Sequence, residues 1–184
     1  MSTDHKRGIF LITGVMASGK STVAQLLAEK FARGVHVRGD AFRRMIVRGR
    51  EELLPDSADD SEAARQLRLR YRIAAQAADA YFDAGFNVVL QDVIVGPMLA
   101  EAVSLIRNRP LYVVVLAPSR EAVADREAAR PKKGYGLWTI DELDRRLREE
   151  TPKIGMWLDS SALTAEESAE WIWQKAWHEA VVDA

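Results

Sequence analysis

Eight residues, Gly14-Val-Met-Ala-Ser-Gly19-Lys20-Ser21, constrain this chain more than any other part of it. They match G-x-x-x-x-G-K-[ST] without deviation, directly after the apolar run Gly8-Ile-Phe-Leu-Ile-Thr13. Such a run suits a strand buried on both faces. Beyond Gly19, the residues Val23, Leu26, Leu27 and Phe31 recur at helical spacing, and Gly34 reads as the end of that helix. Strand, glycine turn and helix in this order aim backbone N–H groups and the positive end of a helix at one small volume, which suits phosphate. Lys20 then offers a point charge to the β- and γ-phosphates, and the Ser21 hydroxyl a ligand for Mg2+. Gly14, Ala17, Ser18, Gly19 and Thr22 complete the expected ATP-binding loop. With glycine at about 7% of average usage, a chance match in a chain of this size is roughly one in a hundred.

The rest of the chain alternates in the same way. Val35–Arg38, Phe86–Gln91, Leu111–Leu116 and Ile154–Leu158 read as four more strands. Between them lie a short helix over 41–47 that Asp40 could cap, a long helix over 65–84, and a helix begun by Pro97. A further helix runs from a Ser119 cap to Arg130, where Pro131 stops it. Thr139-x-x-Glu142 and Thr164-x-x-Glu167 are capping-box patterns. The expected fold is α/β: a single domain over 1–184, three layers, a five-stranded parallel sheet between helices. Ligands of such sheets bind beyond the carboxyl ends of the strands. Here those ends carry Gly14, Gly39-Asp40, Asp92, Ala117-Pro118 and Asp159-Ser160.

Composition narrows the function classes. Of 184 residues, 26 are Lys or Arg and 27 Asp or Glu, for a net charge of -1. That balance provides no general basic field, so nucleic acid is not an expected partner. The absence of cysteine excludes a disulfide framework, a thiolate zinc site and a cysteine nucleophile. No stretch approaches 18 apolar residues and the N-terminus is polar, so a cytoplasmic protein without a membrane span is expected. Charge is nonetheless uneven: 38–50 holds five arginines and one acid, and 51–62 holds six acids and no base, reading as a mobile surface loop. No N-K-x-D guanine motif is present, which argues against a switch GTPase, and larger motor and AAA-type ATPases need more chain.

A short chain with this loop and five strands looks like the nucleotide- and metabolite-kinase branch. Such chemistry needs a carboxylate to receive the acceptor proton late in the transfer. Asp40, at the end of the second strand, is the first choice for that base, with Arg43 and Arg44 within a helical turn to touch substrate or phosphate. Asp92 could hold a magnesium-bound water or the substrate, and position alone does not separate base from metal anchor. Arg126 and Arg130 share one helical face before Pro131-Lys-Lys-Gly-Tyr-Gly136, whose composition suits a lid at about 130–137. Arg65, Arg68 and Arg72 share another face and read mainly as solvated, and Trp171, Trp173 and Trp177 read as packing.

At this point the residues resemble a known group, the small P-loop kinases of the chloramphenicol phosphotransferase-like type. Gluconate, shikimate and adenylylsulfate kinases are similar at a greater distance. The resemblance rests on GVMASGKST, the Gly39-Asp40-Ala41-Phe42 turn, the strand running into QDVIVG, REAAR from Arg126 to Arg130, and LDSSALTAEES. It implies that Asp40 is the catalytic carboxylate and that Lys20 and Ser21 hold phosphate and magnesium. It further implies that Arg126 covers the adenine, that Arg130 reaches the phosphates, and that the Asp159–Ala162 turn with Ser160 borders the base. The function expected is ATP-dependent phosphoryl transfer to a hydroxyl of a small molecule, such as an antibiotic or sugar-like metabolite. Two alternatives stand beside it: a nucleoside or polynucleotide 5′-hydroxyl kinase, and a regulatory ATPase that hydrolyses ATP slowly.

Overall fold

Successive side chains of the sheet strands point to opposite faces and fall into two cores. In β1 (Ile9–Gly14), Ile9 and Leu11 face one side, and Phe10 and Ile12 the other. The computed structural model describes residues 7–131 and 134–182. Parallel pairing joins β1 to β3 (Asn87–Gln91) on one side and to β4 (Leu111–Leu116) on the other. β2 (Gly34–Arg38) adds to β3 and β5 (Met156–Leu158) to β4, giving the order β2-β3-β1-β4-β5. One face is covered by α1 (Lys20–Glu29) and α7 (Ala165–Glu179). The other is covered by α3 (Glu62–Asp83), α4 (Met98–Leu105), α5 (Arg120–Ala129) and α6 (Ile140–Arg145). The three-layer α/β arrangement is the expected one.

Several local readings change. Gly34 does not close a helix: α1 ends at Glu29, and Gly34 opens β2. Asp40 is not a cap, because α2 spans Gly39–Arg44 and places Asp40 inside its first turn. α3 begins at Glu62, capped by the Ser61 hydroxyl accepting from the Ala64 N–H, so the acidic stretch ends inside a helix. Tyr81 on α3 is 46% exposed. A sixth strand, β6 (Val181–Val182), pairs antiparallel with Leu111 and Tyr112 of β4. Trp173 and Trp177 meet Phe31 and Phe10 edge-on, as packing residues should, whereas Trp171 is exposed. Both capping boxes form, at Thr139 and at Thr164. Beyond α6 the chain makes one π-helical turn over Arg146–Glu150. No helix among the described residues is long and apolar enough to cross a membrane.

Candidate active site

The parallel sheet delivers β1, β2 and β3 to the same edge, where their loops wall a cavity of ≈ 1040 Å³. That volume slightly exceeds the usual range of about 300–1,000 Å³ for a small-molecule pocket. The turn after β1 supplies one wall with Ala17, Gly19, Lys20, Ser21 and Thr22. Gly19 takes φ 95, and among the described residues nothing lies within 4 Å of the place its Cβ would occupy. Ala17 also adopts positive φ, 59, a conformation uncommon outside glycine. Gly14 and Ser18 are not wall residues; the Ser18 N–H donates to the Val15 carbonyl at 3.3 Å and closes the turn from within.

Lys20 occupies the first position of α1 and is buried. Its ammonium donates to the Val15 carbonyl at 2.6 Å and lies 3.5 Å from Ser18 Oγ. Burial, reinforced by the Arg130 and Arg70 charges and opposed by Asp40, pushes its pKa down from 10.5 to about 7. The charged form is therefore disfavoured in the fold, and this penalty fades as pH rises from about 7 towards 10.5. A phosphate beside the ammonium favours the proton again. Between those limits, anion binding is expected to take up a proton and to weaken as pH rises. Titration calorimetry of AMP-PNP at pH near 8.5 in buffers of different ionisation enthalpy checks this. Net proton uptake that vanishes in Lys20→Met is expected, and zero uptake in the wild-type chain would contradict it.

Arg126 reaches the loop from α5, and Arg130, directly after that helix, faces the cavity. Arg126 donates to the carbonyls of Ser160 at 2.6 Å, Ser18 at 3.4 Å and Leu163 at 3.4 Å, tying the β1 turn to the 160–163 turn. Ser160 is buried outside the cavity wall, and its hydroxyl has no hydrogen-bond partner among the described residues. Arg130 pairs with Glu127 at 3.1 Å, and the same carboxylate accepts the N–H groups of Gly134 and Tyr135. The Tyr135 hydroxyl donates to the Met16 carbonyl at 2.9 Å, so the segment read as a lid touches the loop directly. Lys132 and Lys133, part of that reading, lie outside the described residues.

The same cavity is also lined by carboxylates. Asp40 faces the cavity on α2, half-exposed and paired with Arg44 one turn later, while Arg43 pairs with Glu52. Asp92, at the end of β3, is engaged instead. Both its oxygens accept from the Arg70 guanidinium, with Nε–Oδ2 at 2.6 Å, and Oδ1 also accepts the Val93 N–H at 2.7 Å. This commits the carboxylate that its strand-end position suggested would stand open to metal or substrate. Gly39 belongs to the same arrangement, since a Cβ there would overlap Asp92. Asp92 is 3% exposed and the Arg70 side chain 12%.

Arg70 escaped sequence reading because its neighbours on α3 carry the same charge and go elsewhere. Arg65 pairs with Glu62 and Arg68 with Glu101, as surface arginines do. The available signal was register: Arg70 precedes the buried Tyr71 on the apolar stripe. Cutting a buried pair leaves a charge uncompensated, which costs about 3–5 kcal/mol. In a chain of this size, Asp92→Ala is expected to lower Tm by about 6–20 °C. The double variant Arg70→Met/Asp92→Leu should recover most of that loss in thermal denaturation, and a failure to recover would contradict the pairing argument.

Residues 9–152 match the family described as AAA domain. The chain belongs to that family. The match spans the β1 turn and most of the sheet of this AAA-domain chain. A UPF0200 protein of Aeropyrum pernix is 32% identical over 139 residues, covering 74% of this chain and 72% of that protein. An unliganded sugar kinase from Janibacter sp. HTCC2649 superposes with TM-score 0.66 at 19% identity, covering 92% of this chain and 94% of that one. The APS kinase of Mycobacterium tuberculosis, solved with AMPPNP and APS, superposes with TM-score 0.64 at 21% identity, covering 92% and 96%. At these identities the likeness establishes the fold: this AAA-domain chain has the architecture of the small P-loop kinases.

Proposed function

We propose that the protein is an ATP-dependent phosphotransferase that moves the γ-phosphoryl group to a hydroxyl of a small molecule. One observation carries the reading: a single cavity has the Lys20–Ser21 turn on one wall and Asp40 on another. In the transfer, the acceptor oxygen bonds to the γ-phosphorus, the bond from that phosphorus to the bridging oxygen breaks, and ADP leaves with the electron pair. Asp40 accepts the acceptor proton, after its pairing with Arg44 opens. Lys20 trades the Val15 carbonyl for phosphate oxygens, and Arg130 adds a second positive charge from the same cavity. Arg126, by joining Ser18 to the 160–163 turn, holds the phosphate end and the proposed base end of the ATP site at a fixed distance.

Magnesium bound with ATP would supply charge neutralisation on the β- and γ-oxygens. The residues fit a metal held mainly by phosphate and water: Ser21 faces the cavity, and no cluster of three or more His, Asp or Glu ligands occurs among the described residues. Asp92, locked to Arg70, serves better as the anchor of that guanidinium than as a ligand. The reading is tested by following phosphorus-31 resonances of ATP with a panel of metabolite and antibiotic alcohols. A new phosphate ester formed in step with ADP supports transfer; ADP released slowly and equally with every alcohol would support the regulatory ATPase instead.

A further inference from the structure

We propose that Arg146 reads an anionic group on the acceptor, so that the substrate is an alcohol carrying both a negative charge and a flat apolar body. The inference rests on the phosphotransferase reading of this cavity and begins from its charge pairing. On the acceptor side, Arg44 is held by Asp40, Arg43 by Glu52 and Arg70 by Asp92, and all three carboxylates also face the cavity. Those pairs bring no net charge inside. Arg146 differs, because its carboxylate partner, Glu150 at 3.6 Å, is not a wall residue. Among the described residues, its guanidinium is thus a positive charge left to a ligand on the acceptor side, with the exposed Arg38 a second cation on the same wall and Glu51 opposing from the exposed rim.

The chain goes to some length to hold this side chain. Arg146 opens the π-helical turn, a rare conformation that recurs at functional sites. The Thr151 hydroxyl donates to the Arg146 carbonyl at 2.9 Å and accepts the Gly96 N–H at 2.7 Å, joining that turn to the loop after β3. Gly96 has φ 68, and a Cβ there would sit 3.0 Å from Arg146 Nε, so the glycine leaves the guanidinium its space. The guanidinium lies 5.5 Å from the centre of the Trp138 ring, whose own N–H is fixed on the Leu53 carbonyl at 2.8 Å. Besides Trp138, the cavity wall carries the apolar side chains Val95, Met98 and Leu143 and the ring of Tyr71. A neutral polyol would leave that surface and that charge poorly matched, whereas an anion joined to a ring matches both.

The test measures binding by ligand-observed NMR, on the full chain saturated with AMP-PNP and Mg2+ so that the phosphate loop is filled. The probes are 4-(hydroxymethyl)benzoate, 4-(hydroxymethyl)phenyl phosphate and the neutral methyl ester of the benzoate. At least one acidic probe is expected to bind about tenfold more tightly than the ester, and the better of the two separates carboxylate from phosphate recognition. Arg146→Gln should erase that preference, and Arg146→Lys should restore part of it. AMP-PNP affinity should stay unchanged in both variants. Equal binding of acids and ester, no binding of either acid at millimolar concentration, or a preference surviving Arg146→Gln would overturn the proposal. A loss of AMP-PNP affinity in Arg146→Gln would place the residue with the nucleotide and overturn it too. Failure of the wild-type chain to bind AMP-PNP would instead defeat the phosphotransferase reading itself.

Discussion

Asp40→Asn is expected to lower turnover by about 10²–10⁴-fold, the contribution typical of a positioned general base, while ATP affinity barely moves. The substitution suits the site because the amide oxygen can still accept from Arg44, so α2 and its place on the cavity wall should survive. What disappears is an acceptor for the proton leaving the substrate hydroxyl. Because that interaction belongs to the transition state, kcat and kcat/KM should fall together. The check is steady-state kinetics on whichever alcohol yields a phosphate ester, alongside a separate nucleotide titration. Turnover near the wild-type level would remove Asp40 as base, and Asp92→Asn, which loosens Arg70, would then show whether the other carboxylate does the work.

Lys20→Met should abolish most nucleotide protection without harming the empty protein. Wild-type chain with ligand at a hundred times its Kd gains about 2.7 kcal/mol, or roughly 5–10 °C in Tm. Losing a charge-assisted contact to phosphate costs about 1.5–3 kcal/mol, which weakens affinity by about ten- to a hundredfold. At the same ligand concentration the shift then shrinks to a few degrees or less. The unliganded variant is expected to melt at the wild-type temperature or above it, since Lys20 is buried with its charge disfavoured. Methionine keeps the apolar stem and removes that burden. Differential scanning fluorimetry with and without AMP-PNP reads both effects. Full protection in the variant would take Lys20 out of the phosphate site.

What could be read from the chain divides by the range of the interaction involved. The β1 turn, the Ser119 cap and the two capping boxes are set by residues within a few positions of one another, and all form as their patterns require. The sheet was legible as well, because β1, β3 and β4 are continuous apolar runs that only a doubly covered sheet can bury. Partnerships between distant residues were not. Arg70 meets Asp92 across 22 positions, and Gly39 matters only because Asp92 lies against it. Arg146 sits in an ordinary charged helical pattern, and its importance emerges only when Gly96, Thr151 and Trp138 gather around it. Asp40 falls between these cases: its side was readable from the strand end, but its position inside α2 was not.

The central claim is that the turn after β1 holds the phosphates of ATP across from Asp40. It is tested most directly by a crystal structure of the chain with AMP-PNP and Mg2+. The expected density places the β- and γ-phosphates against the backbone N–H groups of residues 15–21, with Lys20 Nζ drawn off the Val15 carbonyl and the γ-phosphate facing Asp40. Nucleotide bound elsewhere, or a turn still filled by Lys20 resting on Val15 at saturating ligand, would contradict it.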